Sequence, residues 1–339
     1  MAILSSFDNT EKRMIQSAPT EADKDYEQIN NLRPNSFDAY IGQSRLKEIL
    51  KISINAARNR NDLASLGHIL LYGPPGLGKT SCAYLLANEL GTKAHIFSAP
   101  ALERPKDILG ILMSASEGDV IFIDEIHRLN KITEELMYPA LEDYQVDLTS
   151  GKGSSSRVMR LNINKFIMVA ATTKLGYISA PLRDRFLHVH RMEYYSAEEL
   201  ALIIQASARK LNTQIEAAAA LAIARRARAT PRIANRLLRL VRDFAEHLGK
   251  TTIDEALSDQ ALNLYKIDQY GLDAMDRKIL EIIRDKYAGG PVGLEPLASI
   301  TGEDKSTIED YYEPFLIQSG YLIRGQRGRM LTDKAKDVI

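Results

Sequence analysis

One stretch constrains this chain more than any other: Gly73-Pro74-Pro75-Gly76-Leu77-Gly78-Lys79-Thr80, a complete G-x-x-x-x-G-K-T phosphate loop. It follows the apolar run Ile69-Leu70-Leu71-Tyr72 and precedes Cys82-Ala83-Tyr84-Leu85-Leu86-Ala87. That places it between a buried strand and a helix, the context in which the motif carries meaning. Its glycines let backbone N–H groups turn inward around a polyphosphate, and the helix N-terminus adds partial positive charge. Lys79 is then placed for the β- and γ-phosphates and the Thr80 hydroxyl for Mg²⁺. The chain is expected to bind a nucleoside triphosphate.

The surrounding pattern sets the fold class. Short apolar strands at Ile69–Tyr72, His95–Ser98, Val120–Asp124 and Phe166–Thr172 alternate with helical patterns, which predicts a parallel sheet covered by helices. Val146-Asp147-Leu148 and Val158-Met159-Arg160-Leu161 flank a Gly/Ser turn and read as a β-hairpin at about 146–161. From about Tyr195 the text turns helical; the clearest helix opens at Thr230-Pro231 and carries its apolar stripe on Ile233, Leu237, Leu240, Val241 and Phe244. Three further helix patterns and a small hairpin, Tyr321–Arg324 against Arg329–Thr332, close the chain in the layout of a winged helix. The expected division is an N-terminal flexible tail over 1–29, an α/β core over 30–194, a small all-helical lid over 195–267 and a winged-helix head over 268–339.

Val120-Ile121-Phe122-Ile123-Asp124-Glu125 supplies the acids. Asp124 is placed to hold the metal through water, and Glu125 to polarise the water that attacks the γ-phosphate. A core strand ending in solvated acids is the bland alternative; the intact phosphate loop upstream outweighs it. Phe166–Thr173 is a strand ending in hydroxyls, so Thr172 or Thr173 could stand near the lytic water. Arg183 and Arg185 would be ordinary surface cations in isolation, but in an oligomeric ATPase such an arginine can enter the neighbour's site. Seven arginines and no acid lie between Ala217 and Arg242, most of them on solvated helix faces. Arg232 differs, because as the second residue of the Thr230-Pro231 helix it shares its direction with the helix N-terminus.

Composition excludes several classes. Formal net charge is zero, so nucleic-acid contact must come from local patches. A single cysteine, Cys82, rules out an internal disulfide, and no apolar run approaches the ~20 residues of a membrane span. No secretory leader is visible at Met1–Asp8, and a cytoplasmic, nucleoid-associated protein is expected.

These parts in this order resemble the AAA+ ATPases, and within them the RuvB family of Holliday-junction branch-migration motors. The likeness rests on Leu32-Arg33-Pro34, Tyr40-Ile41-Gly42-Gln43, the phosphate loop, Phe122–Leu129, Tyr138–Tyr144, Pro181–Phe186, Thr230–Arg236, Gly289–Leu294 and Arg324–Arg329. It implies ATP and ADP as nucleotides, Mg²⁺ as the ion, and a hexameric ring. Leu32 and Arg33 fall to the adenine end; Gly76, Lys79, Thr80 and Ser81 to phosphates and metal; Glu142, Asp143 and Tyr144 to the nucleotide's surroundings. Thr172 or Thr173 becomes the first sensor, Arg185 the finger acting in trans, Tyr195 a further nucleotide contact and Arg232 the second sensor. The 146–161 hairpin corresponds to the element that docks on RuvA, and the RuvC resolvase is a further implied partner. Ala170 and Leu187 depart from the family pattern, each standing where glycine is usual.

Duplex arms of the junction would be held by the wing. From Pro314 to Thr332 there are three arginines, Arg324, Arg327 and Arg329, and no acid, which suits phosphate contact without base readout. The preceding helix carries Glu309, Asp310 and Glu313 and is ill suited to a major groove. A clamp-loader-like or helicase-loader ATPase is the nearest rival, and a nucleotide-switched winged-helix regulator a more distant one. The carboxy-terminal third argues against the first; Glu125 and Arg185 argue against the second.

Overall fold

The computed structural model describes residues 32–150 and 157–339, so the tail expected over 1–29 and the Gly/Ser turn at 151–156 lie outside the described residues. The chain divides into two units, Met1–Pro34 and Asn35–Ile339; only Leu32, Arg33 and Pro34 of the first are described.

In the second unit α1 (Ser44–Asn59), β1 (Ile69–Tyr72), α2 (Lys79–Leu90), β2 (Ala94–Ser98), α3 (Pro105–Ser114), β3 (Val120–Asp124) and α4 (Lys131–Glu142) follow one another. The antiparallel pair β4 (Gln145–Ser150) and β5 (Arg157–Asn162) comes next, with Val146 opposite Leu161, as the hairpin pattern predicts. β6 (Ile167–Thr172) and β7 (His188–Arg191) complete a five-stranded sheet of order β2-β3-β6-β1-β7 in which every pairing is parallel. Alternate residues of a strand face opposite sides, and here both sides are covered. Leu70, Ile121, Ile123 and Met168 pack on α3 and α4. Ile69, Leu71, Phe122 and Val169 pack on α1 and α2.

Strand β7 has no counterpart among the four strands expected from sequence. His188-Val189-His190-Arg191 contains one apolar residue, and as an edge strand it needs little burial to be held by β1.

The lid contains α5 (Ala197–Lys210), α6 (Ala217–Arg225), α7 (Pro231–His247) and α8 (Glu255–Leu264). A two-residue parallel pairing, β8 (Gln214–Ile215) with β9 (Thr252–Ile253), is an addition to the all-helical expectation. Helix α7 starts at Pro231, as its Thr-Pro signal requires. Its buried line is Ala234, Leu237, Leu238, Val241 and Ala245, with Ile233, Leu240 and Phe244 only partly buried beside it. The expected stripe is therefore rotated: the two alanines let neighbouring helices approach where larger side chains could not fit.

The head contains α9 (Ala274–Tyr287), α10 (Leu294–Thr301), a third helical segment from Lys305 to Gln318, and the hairpin β10 (Leu322–Gly325) with β11 (Gly328–Leu331). Its own core gathers Leu280, Ile283, Leu297, Ile308, Leu316 and Leu322. The third segment widens to π geometry over Ile308–Tyr312 just before Pro314, which has no N–H to offer Asp310. Among the described residues no helix is long and apolar enough to cross a membrane.

Candidate active site

Because β1, β3 and β6 run in parallel, their carboxyl ends share one edge of the sheet, and the phosphate loop leaves from it. Gly73 N–H donates to Thr172 O at 3.2 Å, tying the loop to the end of β6. Gly76 and Gly78 sit at φ 82° and 96°, which a side chain would strain. Gly78 caps α2 without any side-chain hydrogen bond, so no side chain competes for the first N–H groups of that helix. Thr80 and Ser81 occupy its first turn. Lys79 is 7% exposed; its Nζ donates to Gly73 O at 2.8 Å and Pro74 O at 2.9 Å. An ammonium has three N–H donors, so one remains for a phosphate. Burial pulls the Lys79 pKa below its ordinary value, while Asp124 and Glu125 oppose that shift.

Asp124 ends β3 beside this lysine. Burial raises its carboxyl above the usual range, and the Glu125 N–H, 3.0 Å from Oδ1, works against the rise. Glu125 itself stands in left-handed backbone at φ 51°. Thr173 Oγ1 donates to Glu125 Oε2 at 3.1 Å. The Thr172 hydroxyl is fully buried, lies 2.9 Å from His127 Nδ1 and accepts Lys174 N–H at 3.0 Å. The sequence left two hydroxyls open: Thr172 is buried against His127, and Thr173 is the hydroxyl turned to the Glu125 carboxylate.

The lid meets the loop directly. Arg232 N–H points at Gly76 O across 3.4 Å, and a Cβ on Gly76 would come 3.1 Å from Arg232 Cβ. Arg232 is exposed at the start of α7, and its charge acts on both Lys79 and Asp124. Tyr195 supports the loop from behind: its buried hydroxyl donates to Leu77 O at 3.2 Å and lies 3.3 Å from the Tyr40 hydroxyl, from which it can accept. Its influence on nucleotide would pass through that carbonyl. Gln43 clasps Glu193 in both directions, Nε2 donating to Glu193 O at 2.7 Å and Oε1 accepting Glu193 N–H at 3.1 Å. Tyr40, Gln43 and His127 had no assigned role in the sequence reading, because their partners are distant along the chain or reached only through a tight turn.

Four expected site residues are elsewhere. Ile69, at the start of β1, pairs with His188, so Arg185 precedes β7 at the amino edge of the sheet, opposite the phosphate loop. Arg185 Nη2 donates to Glu142 Oε2 at 2.8 Å and Nη1 to Pro181 O at 2.6 Å, with its guanidinium 4.6 Å above the Tyr138 ring. Tyr144 packs edge-on against His68 and Phe166, which precede β1 and β6 at the same edge. Asp143 closes α4 between Glu142 and Tyr144. Glu142, Asp143, Tyr144 and Arg185 therefore form one group, at the end of the sheet away from the phosphate loop of the same chain.

The wing also differs from expectation. Arg324 and Arg329 face each other across the two strands. Arg329 is 7% exposed, and its Nε and Nη2 donate to the two Glu313 oxygens at 2.6 and 3.2 Å. Expected as a DNA-phosphate contact, Arg329 is instead paired inside the head: burial demands a partner, and Glu313 is one. Arg324, half exposed, lies 2.6 Å from Glu309, and Arg327 is exposed in the turn. Asp310, the third acid of that helix, lies 3.7 Å from Lys174, the residue after Thr173. Leu32 and Arg33 belong to the first unit, so their adenine role is carried by the resemblance alone.

The donor set fits a nucleoside triphosphate: an uncapped helix start, left-handed glycines, one buried ammonium with a spare proton and one exposed guanidinium. It also fits Mg²⁺. Among the described residues no three His, Cys, Asp or Glu cluster together, and an ion held by one hydroxyl, one carboxylate, phosphates and water needs no such cluster.

Three family models match: the Holliday junction DNA helicase RuvB P-loop domain over 32–192, the RuvB AAA lid domain over 195–268 and the RuvB C-terminal winged helix domain over 269–339. The Holliday junction branch migration complex subunit RuvB of Crocosphaera subtropica is 50% identical, covering 99% of this chain and 95% of that protein. The protein of the same name from Rippkaea orientalis is also 50% identical, over 94% and 88%. A solved structure titled as the Thermotoga maritima RuvB Holliday junction branch migration motor is 44% identical, covers 91% of this chain and 98% of that one, and superposes with a TM-score of 0.80. Loop, lid and winged helix thus match in one order along one chain, and the chain belongs to the RuvB family of P-loop ATPases.

Proposed function

We propose that this chain is the ATP-driven subunit of a ring that moves Holliday-junction arms together with RuvA, in recombination and DNA repair. The observation that carries it is the division of the site between two edges of one sheet. Lys79, Thr80, Asp124, Glu125, Thr173 and Arg232 converge at the carboxyl edge, while Arg185 waits at the amino edge. A second copy must bring the latter to the former, as a ring does.

In this reading Lys79, the Gly73–Gly78 backbone and the α2 N-terminus hold the phosphates. Thr80 and Asp124 hold Mg²⁺, which when bound neutralises charge developing on the β- and γ-oxygens. Glu125 orients and deprotonates the lytic water, and the neighbour's Arg185 stabilises the transition state. Two links lead from the site to the head. Lys174 follows the sensing threonine and faces Asp310, while Arg228 of the lid is buried against Asp273 and Asp276. Both favour movement of the head when lid and core shift. Arg324 and Arg327 are the phosphate-facing pair, and Arg329 would join them only if its pair with Glu313 opened. The β4–β5 hairpin, anchored by buried Val146 and carrying exposed Met159, is the surface for RuvA. A RuvC-type resolvase, acting on the junction itself, is a further partner in this reading.

The test is direct. The protein, a RuvA partner, Mg²⁺, ATP and a labelled four-way junction should yield two duplexes by strand exchange. No product, with ATP turnover intact and RuvA bound, would refute branch migration.

A further inference from the structure

We propose that His127 is a positioning residue for Glu125, pinning one carboxylate oxygen so that the other is presented to the lytic water. The proposal rests on the reading of Glu125 as the general base.

His127 lies two residues past Glu125, and the single turn Ile126–Arg128 swings its ring back over the glutamate. Nδ1 is 3.1 Å from Glu125 Oε2 and 2.9 Å from Thr172 Oγ1. Thr173 Oγ1 donates to the same Oε2 at 3.1 Å. An ionised carboxylate only accepts, so a bond from His127 requires the proton on Nδ1. With the other tautomer, two lone pairs would face each other at that distance. The Nδ1–H then meets Thr172 Oγ1 with Glu125 Oε2 beside it, and Thr172 is fixed in turn by Lys174 N–H at 3.0 Å.

One hydrogen bond, from Thr173, thus reaches Oε2 with the His127 ring nitrogen 3.1 Å from the same oxygen, and no such partner stands at Oε1 among the described residues. A carboxylate with one oxygen fastened loses its rotation about the last bond, and the other oxygen is left facing water. The ring is held as well as holding: its side chain is 11% exposed, and the Tyr177 ring packs edge-on at 6.4 Å. Burial keeps the imidazole pKa below its ordinary value; Lys174 and Arg128 act the same way, and Glu125 and Asp124 oppose them. A neutral imidazole suits the role, since an imidazolium would form an ion pair with Glu125 and weaken it as a base.

The experiment uses the full-length protein with DNA and Mg²⁺. His127→Ala should lower kcat by roughly 10- to 100-fold, with KM and the Kd for ADP within about twofold. His127→Asn, whose side-chain N–H can occupy the place of Nδ1–H, should recover activity to within roughly fivefold of the parent. In a Glu125→Gln background His127→Ala should add nothing further, because the residue it serves is already disabled. Besides undiminished turnover in His127→Ala, three results overturn the proposal: nucleotide affinity falling as much as kcat, an Asn variant no better than Ala, or a second full loss in the Glu125→Gln background. Wild-type turnover in His127→Ala alone sinks only the positioning role, whereas wild-type turnover in Glu125→Gln sinks the base assignment beneath it.

Discussion

The Arg228 guanidinium stands 2.5 Å from Asp276, a carboxylate with no exposed surface, and this pair joins the lid to the winged helix. Asp273 lies 2.8 Å from the same guanidinium, and the Phe315 ring packs 4.6 Å beneath it. Burial pushes the Asp276 pKa up from 3.8 to about 7, against the pull of Arg228. The folded protein therefore binds a proton here that the unfolded chain has released. Stability contributed by this group falls as pH rises from about 4 to about 7 and levels off above that. Denaturant midpoints of the parent, followed against Asp276→Asn, should show the parent losing ground across that window; parallel curves would remove Asp276 as the cause.

Glu125→Gln keeps the shape and removes the base. Binding of a fluorescent ATP analogue should be unchanged, while kcat should fall by about 10²–10⁴. Undiminished turnover would contradict the role assigned to Glu125.

Because Arg185 and Lys79 lie at opposite sheet edges, each can be supplied by a different copy. Arg185→Ala and Lys79→Ala should each be inactive alone, yet mixed rings should regain part of the ATPase activity. Mixtures as silent as their parents would exclude action in trans.

The wing arginines separate by burial. Arg324→Ala with Arg327→Ala should weaken DNA binding and flatten its salt dependence by about two phosphate contacts' worth of slope, leaving the melting temperature nearly unchanged. Arg329→Ala strands the buried Glu313 carboxylate and should instead cost about 3–5 kcal/mol of head stability. Equal salt slopes in parent and double variant would move the DNA site elsewhere.

Much of the site could be read directly from the chain. The phosphate loop, the Asp124-Glu125 strand end and the Thr230-Pro231 helix start are local signals, each decided within a few residues by backbone geometry. Strand β7 could not be read that way, since one valine among His188, His190 and Arg191 gives no apolar pattern and only pairing with β1 makes it a strand. The acids Glu309, Asp310 and Glu313 looked like a reason to keep that helix out of a major groove; in the fold they pair with Arg324, Lys174 and Arg329.

By itself the amino-acid sequence determined that a triphosphate would be held, since a phosphate loop is a contiguous turn whose donors are its own backbone. Only the tertiary structure decided which residues stand together. The parallel run of β1, β3, β6 and β7 puts the Arg185 group at the end of the sheet away from Lys79. The fold also closes Thr172 over, sets Thr173 and His127 on one oxygen of Glu125, and turns Arg329 inward. Such relationships join residues far apart along the chain, and packing and burial, which no local pattern encodes, establish them.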